Sequence, residues 1–416
     1  MQESKGAASA LRAWFASAVA AVTVAVLTVG AVGAGVSGAS PSSQDKATFC
    51  VGGFTDVAYA GPMSGSTADY GKEQSLGLKL AISTFNKAGG FKSGPLKGCK
   101  VKLLGPYDDK ETPSTGASIA SKLVTTPHLL VYFGNVDSGV TLAALHVLAR
   151  AKIPMINSYS TAPTITNEGY SNIFRTISTS NGFGTALAEV LVKDFHKKKL
   201  AALWVDNIFG KGLSRAFDKE AVSLGAKIVV TYSYPETSTD FSIMVSKVKA
   251  AHPTGIALLG LYTSDALEVK QLVAAGIKPS KSVEFVGNPS DNNSTFVKIG
   301  GGPSVMDGVY LIGIWNPKVA NKVGKTFTKR FEKTYHSAPA EDAATAYDAF
   351  NVFVRAVEHG GGNRTTLIAQ LHKITPKHPY KGITGKLGFK KNGQAAFYPP
   401  IVLEVKNGAI QAVPTP

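Results

Sequence analysis

Cysteine is nearly absent: only Cys50 and Cys99 occur among 416 residues. That excludes a disulfide-dense scaffold and a four-cysteine zinc site. Acids are scarce as well. Asp and Glu number 28 against 44 Lys and Arg, so the formal net charge is +16. The excess comes as much from missing acids as from added bases. The eight histidines stand singly, and no His-Glu-x-x-His pair occurs. A Gly-x-Ser-x-Gly elbow is missing, because GPMSG at 61–65 has the wrong spacing. There is no P-loop, and Gly182 with Gly184 lacks the third glycine of a dinucleotide fingerprint. Asp108 and Asp109 are adjacent, and neighbours at a strand end point apart, so they read as loop polar groups. No nucleophile–base pair is found. The chain therefore does not read as an enzyme, and no catalytic residue, metal site or cofactor is expected.

Apolar residues make up 44% of the chain and charged residues 17%, which is enough to build a large core and excludes a mainly disordered chain. At roughly 150 residues per domain the length predicts two to three domains. Residues 14–36, WFASAVAAVTVAVLTVGAVGAGV, carry no charge and are followed by SGA at 37–39. This reads as a signal peptide cut after Ala39. The run is also long enough to span a bilayer, so an uncleaved anchor is the competing reading. Both make the remainder exported, periplasmic or at the cell surface. In an oxidising compartment a Cys50–Cys99 disulfide is permitted, with two unpaired thiols as the alternative. The basic residues are scattered, with short clusters at Lys197–Lys199 and at Lys390 and Lys391. No aromatic-interleaved motif accompanies them, so nucleic acid is not an expected partner. Each cluster reads as a solvated face; attachment to an anionic cell surface and adaptation to acidic surroundings are the other readings of the charge.

Short β-branched and aromatic runs alternate with segments of helical period. Strands are predicted at 54–60, 101–104, 129–133 and 153–157, with helices at 71–88, 114–125 and 140–151 between them. The alternation then restarts. Strands at 200–205, 228–232, 256–259 and 283–286 enclose helices at 212–224, 241–251 and 265–275. Later helices are predicted at 319–335, 340–359 and 365–372. Such alternation implies right-handed βαβ units and parallel sheets covered on both faces, here in two lobes. In doubly wound sheets ligands bind beyond the carboxyl ends of the strands. Three loops rich in polar and aromatic residues lie at such ends: 61–71, 134–139 and 158–163. The hydroxyls of Ser138 and Thr161, with free backbone N–H groups at a helix start, would hold an anionic group such as a carboxylate. Tyr70 and Tyr159 stand beside them.

These loops carry a resemblance. GPMSG (61–65), Tyr70-Gly71, NKAGG (86–90), IPMINSYSTAP (153–163), Phe174-Arg175-Thr176, FGKGL (209–213), Asp240-Phe241-Ser242 and AYDA (346–349) resemble, in order and spacing, the leucine/isoleucine/valine-binding proteins of ABC importers. The likeness runs from about 55 to about 403. It implies an α/β fold of two doubly wound parallel-sheet lobes joined by three crossover strands, near Arg175, near Ile314 and Trp315, and near Gly385 and Lys386. The lobes would be 48–175 plus 315–385, and 176–314 plus 386–416. Carried over by motif, Ser138 and Thr161 would hold a ligand carboxylate with the backbone of Tyr159 and Ser160. Tyr70 and Tyr347 would line the pocket from the first lobe, and Phe209 and Tyr262 from the second.

Departures from the pattern bear on the ligand. Members that bind α-amino acids carry a glutamate two residues after the glycine that ends the strand at 283–286. Here Gly287 and Asn288 lead to Pro289. An unpaired buried ammonium costs several kcal/mol, so either Asp291 substitutes or the ligand lacks an α-ammonium. Phe209 replaces a tyrosine often found there. Asp137 stands where some members have cysteine, and Cys50–Cys99 would instead staple the starts of the first two strands. The expected protein is a monomeric extracytoplasmic carrier. It would capture a branched-chain or apolar amino acid, or a related carboxylate or amide, and deliver it to an ABC permease. A sensory module signalling to a membrane partner is the alternative.

Overall fold

The computed structural model describes residues 46–396 and 400–413. The expected leader or anchor at 1–39 lies outside the described residues. Among the described residues no helix is long and apolar enough to cross a membrane.

The first half of the chain alternates as expected. It runs β1 (Phe54–Gly61), α1 (Ala68–Lys87), β2 (Lys100–Asp108), α2 (Pro113–Val124), β3 (Leu129–Phe133), α3 (Ser138–Arg150), β4 (Met155–Asn157), the short α4 (Thr164–Asn167) and β5 (Ile173–Arg175). The strands form one parallel sheet in the order β2-β1-β3-β4-β5. Every residue of β3 is buried, as a strand covered on both faces requires. The edge strand β2 has only one buried residue, Val101. Cys50 and Cys99 are disulfide-bonded with Cα atoms 5.9 Å apart. The bridge sits where Phe54 pairs with Lys100, so it staples the starts of β1 and β2.

The second series is α5 (Ser180–Glu189), β6 (Lys199–Val205), α6 (Ile208–Ser223), β7 (Lys227–Tyr234), α7 (Ser242–Ala251), β8 (Gly255–Leu259), α8 (Tyr262–Ala274), β9 (Glu284–Gly287), α9 (Ser294–Gly300), α10 (Pro303–Met306) and β10 (Tyr310–Gly313). Its sheet continues through β13 (Ile401–Lys406) and β14 (Ala409–Ala412) in the order β14-β13-β10-β9-β8-β6-β7. β13 pairs antiparallel to β10, and the strands from β10 to β7 are parallel. Between the two parts of this sheet the chain returns to the first lobe. There it forms α11 (Lys322–Tyr335), α12 (Glu341–Glu358), α13 (Arg364–Leu371) and the hairpin of β11 (Tyr380–Lys381) and β12 (Lys386–Leu387). α12 lies against α1 so closely that a Cβ on Gly77 would stand 2.1 Å from the Ala343 carbonyl oxygen.

Chain passages between lobes follow Arg175 and Gly313, close to the expected places. The third differs. Residues 386–396 stay with the first lobe, where Arg175 N donates to Gly393 O and Ala395 N to Arg175 O, each at 2.9 Å. The second sheet is rejoined at Ile401 rather than after Gly385. The physical reason is that turn glycines let 386–396 fold back along β5, a pairing that local pattern does not reveal. β5, β10 and α5 also escaped the sequence reading, being short or flanked by polar residues.

Candidate functional site

The carboxyl ends of β1, β3 and β4 bring the three polar loops together. Gly134, at φ 112°, ends β3 against β1; a Cβ there would lie 2.0 Å from Ala60 O. Asn157 then ties the loops, its Nδ2 donating to Gly134 O at 3.1 Å and Asn135 O at 2.8 Å. Asp137 caps α3, with Oδ1 accepting from Gly139 N at 2.8 Å and Val140 N at 2.9 Å. Behind the 158–163 loop lies Arg175, fully buried. Its guanidinium donates to Ala162 O at 2.6 Å, Ser160 O at 3.2 Å and Gln394 Oε1 at 2.6 Å. Burial without a carboxylate partner pulls its pKa down to about 9. Arg175 thus fixes the loop by neutral acceptors rather than by an ion pair.

Between the lobes lies a cavity of about 50 Å³. Six of the nine residues expected at the site line it: Tyr70, Ser138, Tyr159, Ser160, Thr161 and Phe209. The Thr161 hydroxyl is buried and has no hydrogen-bond partner among the described residues. Ser138 Oγ accepts from Ala162 N at 3.3 Å. The Ser160 side chain is tied into the framework, its hydroxyl donating to Val136 O at 2.6 Å. From the second lobe come Phe183, Leu261, Asn288 and Pro289. Glu111 and Glu236, one from each lobe, complete the wall with Asp137. The sequence reading did not single out these carboxylates or Phe183 as site residues. Asp137 could have been suspected from its place beside Ser138; the others carry no local signal.

Three expected residues stand elsewhere. Tyr262 touches the site through Tyr70, their rings 4.9 Å apart. Asp291 does not line the cavity. Pro289 opens a single 3₁₀ turn, and that turn points Asp291 inward, where Oδ2 accepts from Asn288 N at 3.1 Å. It is fully buried beside Asp265 and Glu268, and burial, then the charge of Asp265, raises its pKa well above the usual carboxylate range. Asp265 itself is pushed up to about 7 by burial. Asp291 is therefore no substitute for the missing glutamate. Tyr347 packs on Phe327, ring centroids 4.9 Å apart, away from the cavity, because α12 turns that face toward α11.

The lobes also bond directly at the cleft edge. Tyr70 OH donates to Ser290 O at 3.0 Å and accepts from Tyr262 N at 3.4 Å. Tyr262 OH donates to Ser66 O at 2.7 Å, and Thr295 Oγ1 to Asp69 Oδ2 at 2.5 Å. The structure is a closed clamp whose opening must break these four bonds.

The profile of the periplasmic binding protein family matches residues 55–409, which takes in both lobes and the cleft. The chain belongs to this family. Among relatives of this binding protein is the leucine-, isoleucine-, valine-, threonine- and alanine-binding protein of Pseudomonas aeruginosa. It is 27% identical over 337 residues, covering 81% of this chain and 86% of the relative. Two solved structures share the fold. A leucine-binding protein of Thermotoga maritima is 23% identical with a TM-score of 0.78, the match covering 86% of this chain and 97% of that one. An ABC-transporter solute-binding protein of R. palustris in complex with benzoate is 20% identical with a TM-score of 0.75, covering 86% and 95%.

Proposed function

We propose that this binding protein is the exported solute-capturing component of an ABC importer and delivers a small organic solute to a permease. The observation that carries this reading is the cavity itself. It is walled by both lobes and mainly apolar, and among its lining residues is Thr161, whose hydroxyl has no partner among the described residues. A ligand bonded to both lobes stabilises the closed form by its differential affinity for it, and no covalent chemistry is required. The names of the relatives point to branched-chain amino acids or aromatic carboxylates as the ligand class. The apolar segment at 14–36 supports export, by a cleaved leader or as an anchor at the membrane surface. The test is thermal unfolding of the purified protein against amino acids, benzoate and amides. A true ligand at about 100 times its Kd adds about 2.7 kcal/mol and raises the midpoint by several degrees. A flat response across the panel would count against capture of this class of solute.

A further inference from the structure

Resting on that reading, we propose that Asp137 is the counter-ion for a ligand ammonium group, so that the site takes an α-amino carboxylate although the loop after β9 offers no acid for it. Pro289 carries no charge, and Asp291 is folded away from the cavity. Among the described residues the acids that line it are Asp137, Glu111 and Glu236, and no Lys, Arg or His does. They are not equivalent. Glu111 Oε1 is taken by Thr67, whose backbone N and Oγ1 each donate at 2.5 Å, and Oε2 by Ser66 Oγ at 3.0 Å. Glu236 lies on the exposed rim, bonded to Asn207 Nδ2. Asp137 is held rigidly: both helix-cap bonds go to Oδ1, and Oδ2 carries no hydrogen bond among the described residues.

The neighbours of Asp137 set the geometry. Ser138 follows it in the chain, and Thr161, 93% buried by its 7% exposure, lines the same cavity with its hydroxyl unpartnered among the described residues. A hydroxyl that can donate and a carboxylate oxygen that can accept thus border one small space. An α-amino carboxylate presents the complementary pair on a single carbon. A carboxylate without an ammonium would meet Asp137 as an uncompensated like charge in a closed cleft, which is disfavoured. Phe183, Phe209, Leu261 and Ile314 give the cavity an apolar stretch of wall suited to an aliphatic side chain. The acid has changed lobes relative to the expected pattern: it reaches the ligand from the N-cap of α3 rather than from the loop after β9.

The experiment is calorimetric titration of the full-length protein, purified in mild detergent. The probes are leucine, isoleucine and valine, each paired with its deaminated acid: 4-methylpentanoate, 3-methylpentanoate and 3-methylbutanoate. At least one amino acid is expected to bind about tenfold or more tighter than its deaminated partner. Asp137→Asn keeps a side-chain oxygen to cap α3. It should weaken that amino acid by at least about thirtyfold while leaving the deaminated acid unchanged or tighter. Glu332→Gln, at an exposed acid of α11 that does not line the cavity, should shift both by less than about threefold. Deaminated acids binding as tightly as amino acids to the wild type would overturn the assignment and leave the solute-binding reading intact. That arm needs no variant, so it holds even if Asp137→Asn folds poorly. Unchanged amino-acid binding in Asp137→Asn would also overturn it. Binding of no probe by any form would overturn both this assignment and the ligand class on which it rests.

Discussion

Tyr70 shows how one hydroxyl changes role once its surroundings are known. Its place after the first strand suggests a ligand contact, and its ring does line the cavity. Its hydroxyl, however, spans the lobes between Ser290 O and Tyr262 N. Burial raises the pKa of that hydroxyl well above its usual value, so it remains a neutral donor throughout the accessible pH range. Tyr70→Phe keeps the ring and removes the bridge. A net hydrogen bond contributes about 1 kcal/mol, so the closed form should lose about that much and ligand release should quicken roughly five- to tenfold. Stopped-flow release of a bound solute reads this directly. An unchanged release rate would mean that the bridge does not hold the clamp shut. Ser160 makes the complementary point: its position is the expected one, yet its hydroxyl belongs to the loop framework.

The helices and strands of the repeating α/β series were mostly legible because their periodicity is local. α3 and β8 lie within about two residues of their predicted bounds. What escaped were pieces defined by a partner. β5 and β10 are strands of three and four residues, and α5 takes its meaning from the crossover before it. The contact of α1 with α12 belongs to the same category. Nothing in the sequence around Gly77 announces that a backbone 266 residues away will press on it, yet Ala343 O lies 2.1 Å from the place a Cβ would occupy. Two effects compete in Gly77→Ala. Helix propensity favours alanine by about 1 kcal/mol, and overpacking against a backbone costs about 1–3 kcal/mol. The obstruction is main chain and cannot rotate aside, so the substitution should destabilise by up to about 2 kcal/mol, measurable as a lower urea midpoint. Stabilisation would show that the two helices can slide apart at little cost.

Across the whole molecule, buried carboxyls set the response to pH. Burial pushes Asp265 and Glu341 up to about 7 and Asp109 and Asp348 up to about 6. None of the four has a Lys, Arg or His at ion-pair distance among the described residues. In the unfolded chain such groups titrate near about 4. Between these values the folded protein binds more protons than the unfolded one, so stability falls as pH rises from about 4 to about 7. The thermal midpoint should therefore be higher near pH 5 than near pH 8, in moderate salt to screen the +16 surface charge. A midpoint that climbs toward pH 8 would refute this. The few acids noted in the sequence thus have a structural counterpart, since several of them are buried and unpaired. The sequence by itself determined the two α/β series and the loops that carry Ser138 and Thr161, because periodicity, composition and strand-end position are local properties, whereas the bond between Cys50 and Cys99 was only permitted by it. Only the tertiary structure decided that Asp291 turns inward, that Tyr347 packs on Phe327, that residues 386–396 stay with the first lobe, and that Glu111, Asp137 and Glu236 share one cavity. Each of those depends on a segment distant in sequence, whose approach is governed by packing and not by the pattern of the residues beside it.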